Sequence, residues 1–156
     1  MGINRKVGHS LIAAAVMLLT GVEQALAGEF FEKEGVAIRG YDPVAYFTEM
    51  KPVKGSAEFR AQYQGSTFHF ASAAHRDDFL RKSTKFAPQY GGYCAFGMAK
   101  GYKATTDPAA FTITGDKLYL NYSETVRSQW LSDVPRYVRK ADGNWPDVKK
   151  LTKVLE

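Results

Sequence analysis

The chain has 156 residues, with 21 lysines and arginines against 16 aspartates and glutamates, and one cysteine. No basic stripe with interleaved aromatic residues runs through it, which argues against nucleic acid as a partner. A lone cysteine excludes a disulfide within the chain, a C-x-x-C exchange motif and a C-x-x-C-H haem attachment.

Residues 1–27 read as a secretory signal. Arg5 and Lys6 give a positive start, Leu11 to Thr20 is a short apolar run, and Ala25 to Ala27 places small residues for cleavage after Ala27. An uncleaved anchor is the alternative, but the run falls short of the roughly 20 apolar residues that a spanning helix needs. No cysteine lies near the cleavage site, so a lipid anchor is not indicated. A single arginine in "NRK" does not make a twin-arginine signal. The expected address is the periplasm, with secretion second and no stable membrane anchor after cleavage. Taking 27 residues from 156 leaves residues 28–156, enough for one domain with its own core. Their 19 basic and 15 acidic residues leave a charge of +4, a mild basicity that suits solubility or weak attraction to anionic surfaces.

"GYDPVAYF", Gly40 to Phe47, opens with an Asp-Pro turn and is expected to continue as an apolar strand from Val44 to Phe47. Tyr63 to Phe70 belongs to a hairpin. Phe59 and Tyr63 share one face of its first strand, Phe68 and Phe70 share one face of its second, and His69 points away. A helix is expected from about Ala73 to Lys82, with Ser72 as N-cap, Asp77 and Asp78 early in it, and Arg81 and Lys82 near its end. His75 and Phe79 share a helix face, so His75 leans inward. Pro88 stops helical structure, and "GGYCAFGMAKG" then enters a short helix or an irregular loop. If it is helical, Cys94 and Met98 project from one side.

Phe111 to Tyr122 forms a second hairpin about Gly115 and Asp116, with Leu118, Leu120 and Tyr122 on one face and Tyr119 opposite. Ser123 caps a last helix through Val126 and Trp130, interrupted or restarted near Pro135, continuing through Tyr137 and Val138 and broken at "DGNWP". The sum is a small single α+β domain of short antiparallel hairpins packed with helices. Phe68, Phe70, Phe79, Leu118, Leu120 and Trp130 are its expected core.

The segment "YQGSTFHFASAAHRDDFLRKSTKFAPQYGGYC", Tyr63 to Cys94, resembles a YHS domain through Tyr63, Gly65, Phe70, Ser72, Phe79, Pro88 and Tyr90. "GYDPVAYF", "DPAAFTITGDKLYLNY" and "ADGNWP" are similar to a subgroup of small exported YHS proteins, extending the resemblance over roughly residues 40–146. The resemblance implies a domain type that occurs in copper-transporting ATPases and some multicomponent hydroxylases, and is suspected of holding metal through paired cysteines. This chain departs from that pattern: Ala45 and Ala71 stand where the pair is commonly found, and only Cys94 remains.

A lone exported thiol is buried, bound to metal, paired with another molecule, or reactive. The candidate metal ligands are Cys94, His75 and Met98, with His69 and Met50 as weaker donors. Soft thiolate and thioether ligands put copper before zinc, since structural zinc wants four sulfur or nitrogen ligands. The first expectation is therefore a non-enzymatic periplasmic protein with a metal-binding role. The second is a protein-interaction module, with a periplasmic partner, an aromatic surface drawn from Tyr41, Tyr46, Tyr90, Tyr93 and Tyr102, and Cys94 in the core. The third is a cysteine-dependent enzyme with His75 as base.

Overall fold

The computed structural model describes residues 29–156; the expected signal segment, residues 1–27, lies outside the described residues. In chain order the elements are β1 (Glu32–Lys33), β2 (Val36–Ala37), α1 (Ala45–Thr48), β3 (Ser56–Tyr63), β4 (Ser66–Phe70), α2 (Ala73–Arg81), α3 (Ser83–Phe86), α4 (Ala95–Lys100), β5 (Lys103–Ala104), β6 (Asp107–Thr114), β7 (Lys117–Asn121), α5 (Glu124–Leu131), α6 (Val134–Val148) and β8 (Val154–Leu155). This is the α+β domain of short hairpins and helices that the periodicity predicts.

Both long hairpins form where turn chemistry allows. Gln64 and Gly65 between β3 and β4, and Gly115 and Asp116 between β6 and β7, all have positive φ. Two successive left-handed residues match the twist of the flanking strands and set the register. Tyr63 thus faces Ser66, and Thr114 faces Lys117. Ser72 Oγ accepts the His75 amide at 3.1 Å and Ser123 Oγ accepts that of Val126 at 3.2 Å, so both serines cap their helices. Asp77 and Asp78 sit in the middle of α2 rather than in its first turn.

β7 separates two apolar clusters. Leu118 and Leu120 join Phe68, Phe70, Phe79, Val44 and Tyr46 on one face. Tyr119 joins Trp130, Met98, Tyr90 and Ala141 on the other. The six expected core residues are all at most 1% exposed. Tyr122, expected beside Leu118 and Leu120, lies just past the end of β7 and is exposed.

Two expectations are corrected. Val44 to Phe47 is not a strand, because Asp42 Oδ1 accepts the amides of Val44 at 2.8 Å and Ala45 at 3.2 Å and starts α1. An aspartate before a proline is a helix start, and here it outweighs the apolar run. "DGNWP" does not break the last helix, since α6 runs through Pro146 to Val148. Proline in a helix interior forfeits a hydrogen bond and costs about 3 kcal/mol in isolation. The offset is tertiary: Tyr137, Ala141, Trp145 and Val148 form one apolar stripe on the second cluster, and Asn144 Nδ2 donates to Met98 O at 3.0 Å. The chain end returns to the domain, with β8 parallel to β5 and the Thr105 amide bonded to Leu155 O at 2.9 Å.

Candidate functional site

Tyr90, Gly91 and Gly92 are three consecutive left-handed residues. A Cβ on Gly91 would lie 2.1 Å from Glu29 O, and one on Gly92 would lie 2.4 Å from Ile38 Cγ2, so only glycine permits this close approach. The turn delivers Cys94 to the start of α4, as its N-cap rather than as a residue within it.

That position decides where the sulfur points. Cys94 Sγ folds back over the helix end and accepts the amides of Gly97 at 3.4 Å and Tyr122 at 3.3 Å. The thiol donates to Asn121 Oδ1 at 3.6 Å, an oxygen that also accepts the Phe96 amide at 3.1 Å. Burial pushes the Cys94 thiol above its ordinary value, and the amides of Gly97 and Tyr122 pull partly the other way. Cys94 is 2% exposed and borders a cavity of about 210 Å³ shared with Phe96, Tyr102, Ala104, Tyr122, Val126, Leu155 and Glu156.

The other ligand candidates are occupied elsewhere. Met98 is fully buried in the second apolar cluster and does not line the Cys94 cavity. Cys94 precedes the first helical residue of α4 as its N-cap, so it is not the in-helix i, i+4 partner of Met98 that the sequence suggests. His75 Nδ1 is 2.6 Å from Asp42 Oδ2, and its Nε2 is 3.5 Å from Thr48 Oγ1. Thr48 Oγ1 gives its own proton to Val44 O at 3.2 Å, so His75 faces no activated hydroxyl. His69 lies on the opposite face of β4 from Phe68 and Phe70; partial burial, then Lys54 and Arg60, hold its pKa below the ordinary histidine value. Met50 is exposed at a left-handed turn. Among the described residues no three histidine, cysteine or acidic side chains gather as a metal cluster. Of the three expected ligands Cys94, His75 and Met98, Cys94 alone lines the cavity beside Phe96 and Tyr102, while Met98 packs in the second apolar cluster and His75 bonds Asp42.

Of the tyrosines expected on a recognition surface, Tyr46, Tyr90 and Tyr93 are core residues, while Tyr41 and Tyr102 line cavities. The Tyr90 hydroxyl donates to Asp142 Oδ1 at 2.8 Å; burial, and then that bond, push its pKa upward.

Two residues outside the candidate ligand set organise the rest. Asp42 is a buried carboxylate serving α1, the end of β4 and α2 together, and the Asp-Pro pair was its signal. Arg39 stands in a left-handed segment, Ile38 to Gly40, and borders two open concavities of about 460 and 360 Å³. Its signal lies in backbone conformation, which residue pattern does not display. No family model, no curated protein and no solved structure matches the chain. No helix among the described residues is long and apolar enough to cross a membrane.

Proposed function

We propose that this chain is an exported, non-enzymatic binding module of the YHS type in which Cys94 is a structural residue. The carrying observation is the state of the sulfur: it caps α4, takes amides from Gly97 and Tyr122, and gives its proton to Asn121. A buried thiol with a raised pKa is a poor nucleophile, because the thiolate is the reactive form. The positions of the YHS resemblance support the same reading through structural roles. Gly65 turns a hairpin, Ser72 caps α2, Phe70 and Phe79 pack in the first cluster, and Tyr90 anchors α6. Recognition then falls to the open surface, where cavities with polar and aromatic lining meet.

The test is competition for Cu(I) against a chromogenic chelator, with wild type and Cys94→Ser side by side. Equal competition by the two proteins is the expected result. Uptake of one Cu(I) per chain that Cys94→Ser abolishes would replace this reading with the metal-binding one.

A further inference from the structure

Arg39 is an arginine held in a costly backbone conformation. Ile38 has φ 43° and Arg39 has φ 57°, and a β-branched residue at positive φ is a genuine outlier. The surroundings enforce it. The Ile38 amide donates to Phe31 O at 2.8 Å, the Tyr41 amide to Ile38 O at 3.1 Å and the Gly55 amide to Gly40 O at 2.9 Å, while Ile38 packs into the space left by Gly92. Strain maintained in this way concentrates where a side chain must be aimed.

The aim of the side chain is equally fixed. Arg39 Nε donates to Thr106 O at 3.0 Å, and the guanidinium carbon stands 5.5 Å from the centre of the Phe31 ring. Among the described residues no carboxylate pairs with Arg39, and its two terminal nitrogens make no hydrogen bond. A half-buried guanidinium with one edge anchored and the other free presents a planar fork suited to an oxyanion.

Charge selects the side on which a ligand sits. The larger concavity sets Asp107 and Glu156 against Arg39. The smaller one sets Lys33, Arg39 and Lys54 against Glu34, with Tyr41 and Pro108 completing the wall. Lys54 is tied into this wall, its ammonium donating to Arg39 O and standing 4.9 Å from the Tyr41 ring centre. The wall has a surplus of two positive charges.

We infer that the Arg39 groove binds a small dianion, a phosphate group free or as a monoester; this rests on the reading of the chain as a binding module. The Nη pair takes two phosphate oxygens, Lys54 and Lys33 neutralise the second charge, and Tyr41 with Pro108 faces any organic part.

Titration with inorganic phosphate and, separately, phenyl phosphate, at constant ionic strength and mildly alkaline pH, reads this by calorimetry or amide chemical shifts. The expected result is saturable binding, weakened about tenfold or more in Arg39→Gln and about two- to fivefold in Lys33→Gln. Lys33 is exposed and outside the strained turn, so that variant serves even if Arg39→Gln folds poorly. Tighter binding of phenyl phosphate assigns a monoester; tighter binding of inorganic phosphate assigns the free ion. No saturable response to either probe, the same response to chloride, or wild-type affinity in both variants overturns the inference. Cys94→Ser should bind phosphate as wild type does, because Cys94 lines a different cavity. Copper uptake through Cys94 would therefore defeat the binding-module reading and leave the phosphate result standing on its own.

Discussion

His75 Nδ1 lies 2.6 Å from Asp42 Oδ2, which ties the first turn of α2 to the start of α1. The same carboxylate accepts the amides of Val44, Ala45 and Ala71 at 2.8, 3.2 and 2.8 Å, and it is fully buried. Three of its four partners are backbone donors, so the carboxylate matters more than the imidazole. Asp42→Ala should cost about 3–4 kcal/mol, because it strands buried amides. Asp42→Asn should cost about 2 kcal/mol, since one oxygen can still cap α1. His75→Ala should cost about 1 kcal/mol. Urea denaturation of the three variants checks the order; a His75→Ala loss as large as that of Asp42→Ala would transfer the role to the ring.

Much of the fold is legible in the residues, for physical reasons. The hairpins are readable because apolar alternation and the Gln64-Gly65 and Gly115-Asp116 pairs agree on register. The caps at Ser72 and Ser123 are readable because a hydroxyl before a helical pattern has one obvious use. Asp42 is legible as a turn residue but not as a hub, since Ala71 and His75 reach it only through the tertiary fold. The course of α6 through Pro146 is hidden, because what offsets the proline is packing on α4 and Tyr90. The direction of the Cys94 sulfur is hidden for a smaller reason: a one-residue difference between N-cap and first helical position turns the side chain back over the helix end. Arg39 carries no residue-level signal at all, because its placement depends on Gly92, far along the chain, leaving room for Ile38.

Two glycine substitutions should act with opposite sign. Gly91 has φ 62°, and an added Cβ would sit 2.1 Å from a backbone oxygen, so Gly91→Ala should destabilise by about 2 kcal/mol or more. Gly143 lies within α6, and a Cβ added there would meet nothing within 4 Å, so Gly143→Ala should stabilise by about 0.5–1 kcal/mol. Thermal melts of the two proteins settle it; a loss of stability in Gly143→Ala would contradict the helical path through "DGNWP".

Alkaline stability should fall in a definite order. The Cys94 thiol ionises from an ordinary value of 9.0 when unfolded and holds its proton to higher pH when folded. Unfolding therefore releases a proton above about 9, and stability declines as pH rises from there through the folded value. Tyr46 and Tyr90 add the same sign from their ordinary 10.0 upward. Stability measured by urea should be unaffected by these groups below about pH 9, then drop, with the earliest part of the drop absent in Cys94→Ser. A drop of the same onset in that variant would remove the thiol from the account.

The final prediction separates a structural thiol from a chemical one. Serine is a strong N-cap residue and keeps a donor and an acceptor at the position, although its shorter bond leaves the Gly97 and Tyr122 amides, at 3.4 and 3.3 Å from the sulfur, slightly stretched. Cys94→Ser should therefore lie within about 1 kcal/mol of wild type. Alanine removes both the cap and the sulfur's packing, so Cys94→Ala should lose about 1–2 kcal/mol. The folded thiol should react slowly with a disulfide reagent and at the rate of a free thiol once unfolded in urea, since it is 2% exposed and mostly protonated at neutral pH. Rapid labelling of the native protein would show a thiolate that the capping bonds do not explain. Stability unchanged in Cys94→Ala would show that the bonds to Gly97, Tyr122 and Asn121 contribute nothing to the fold.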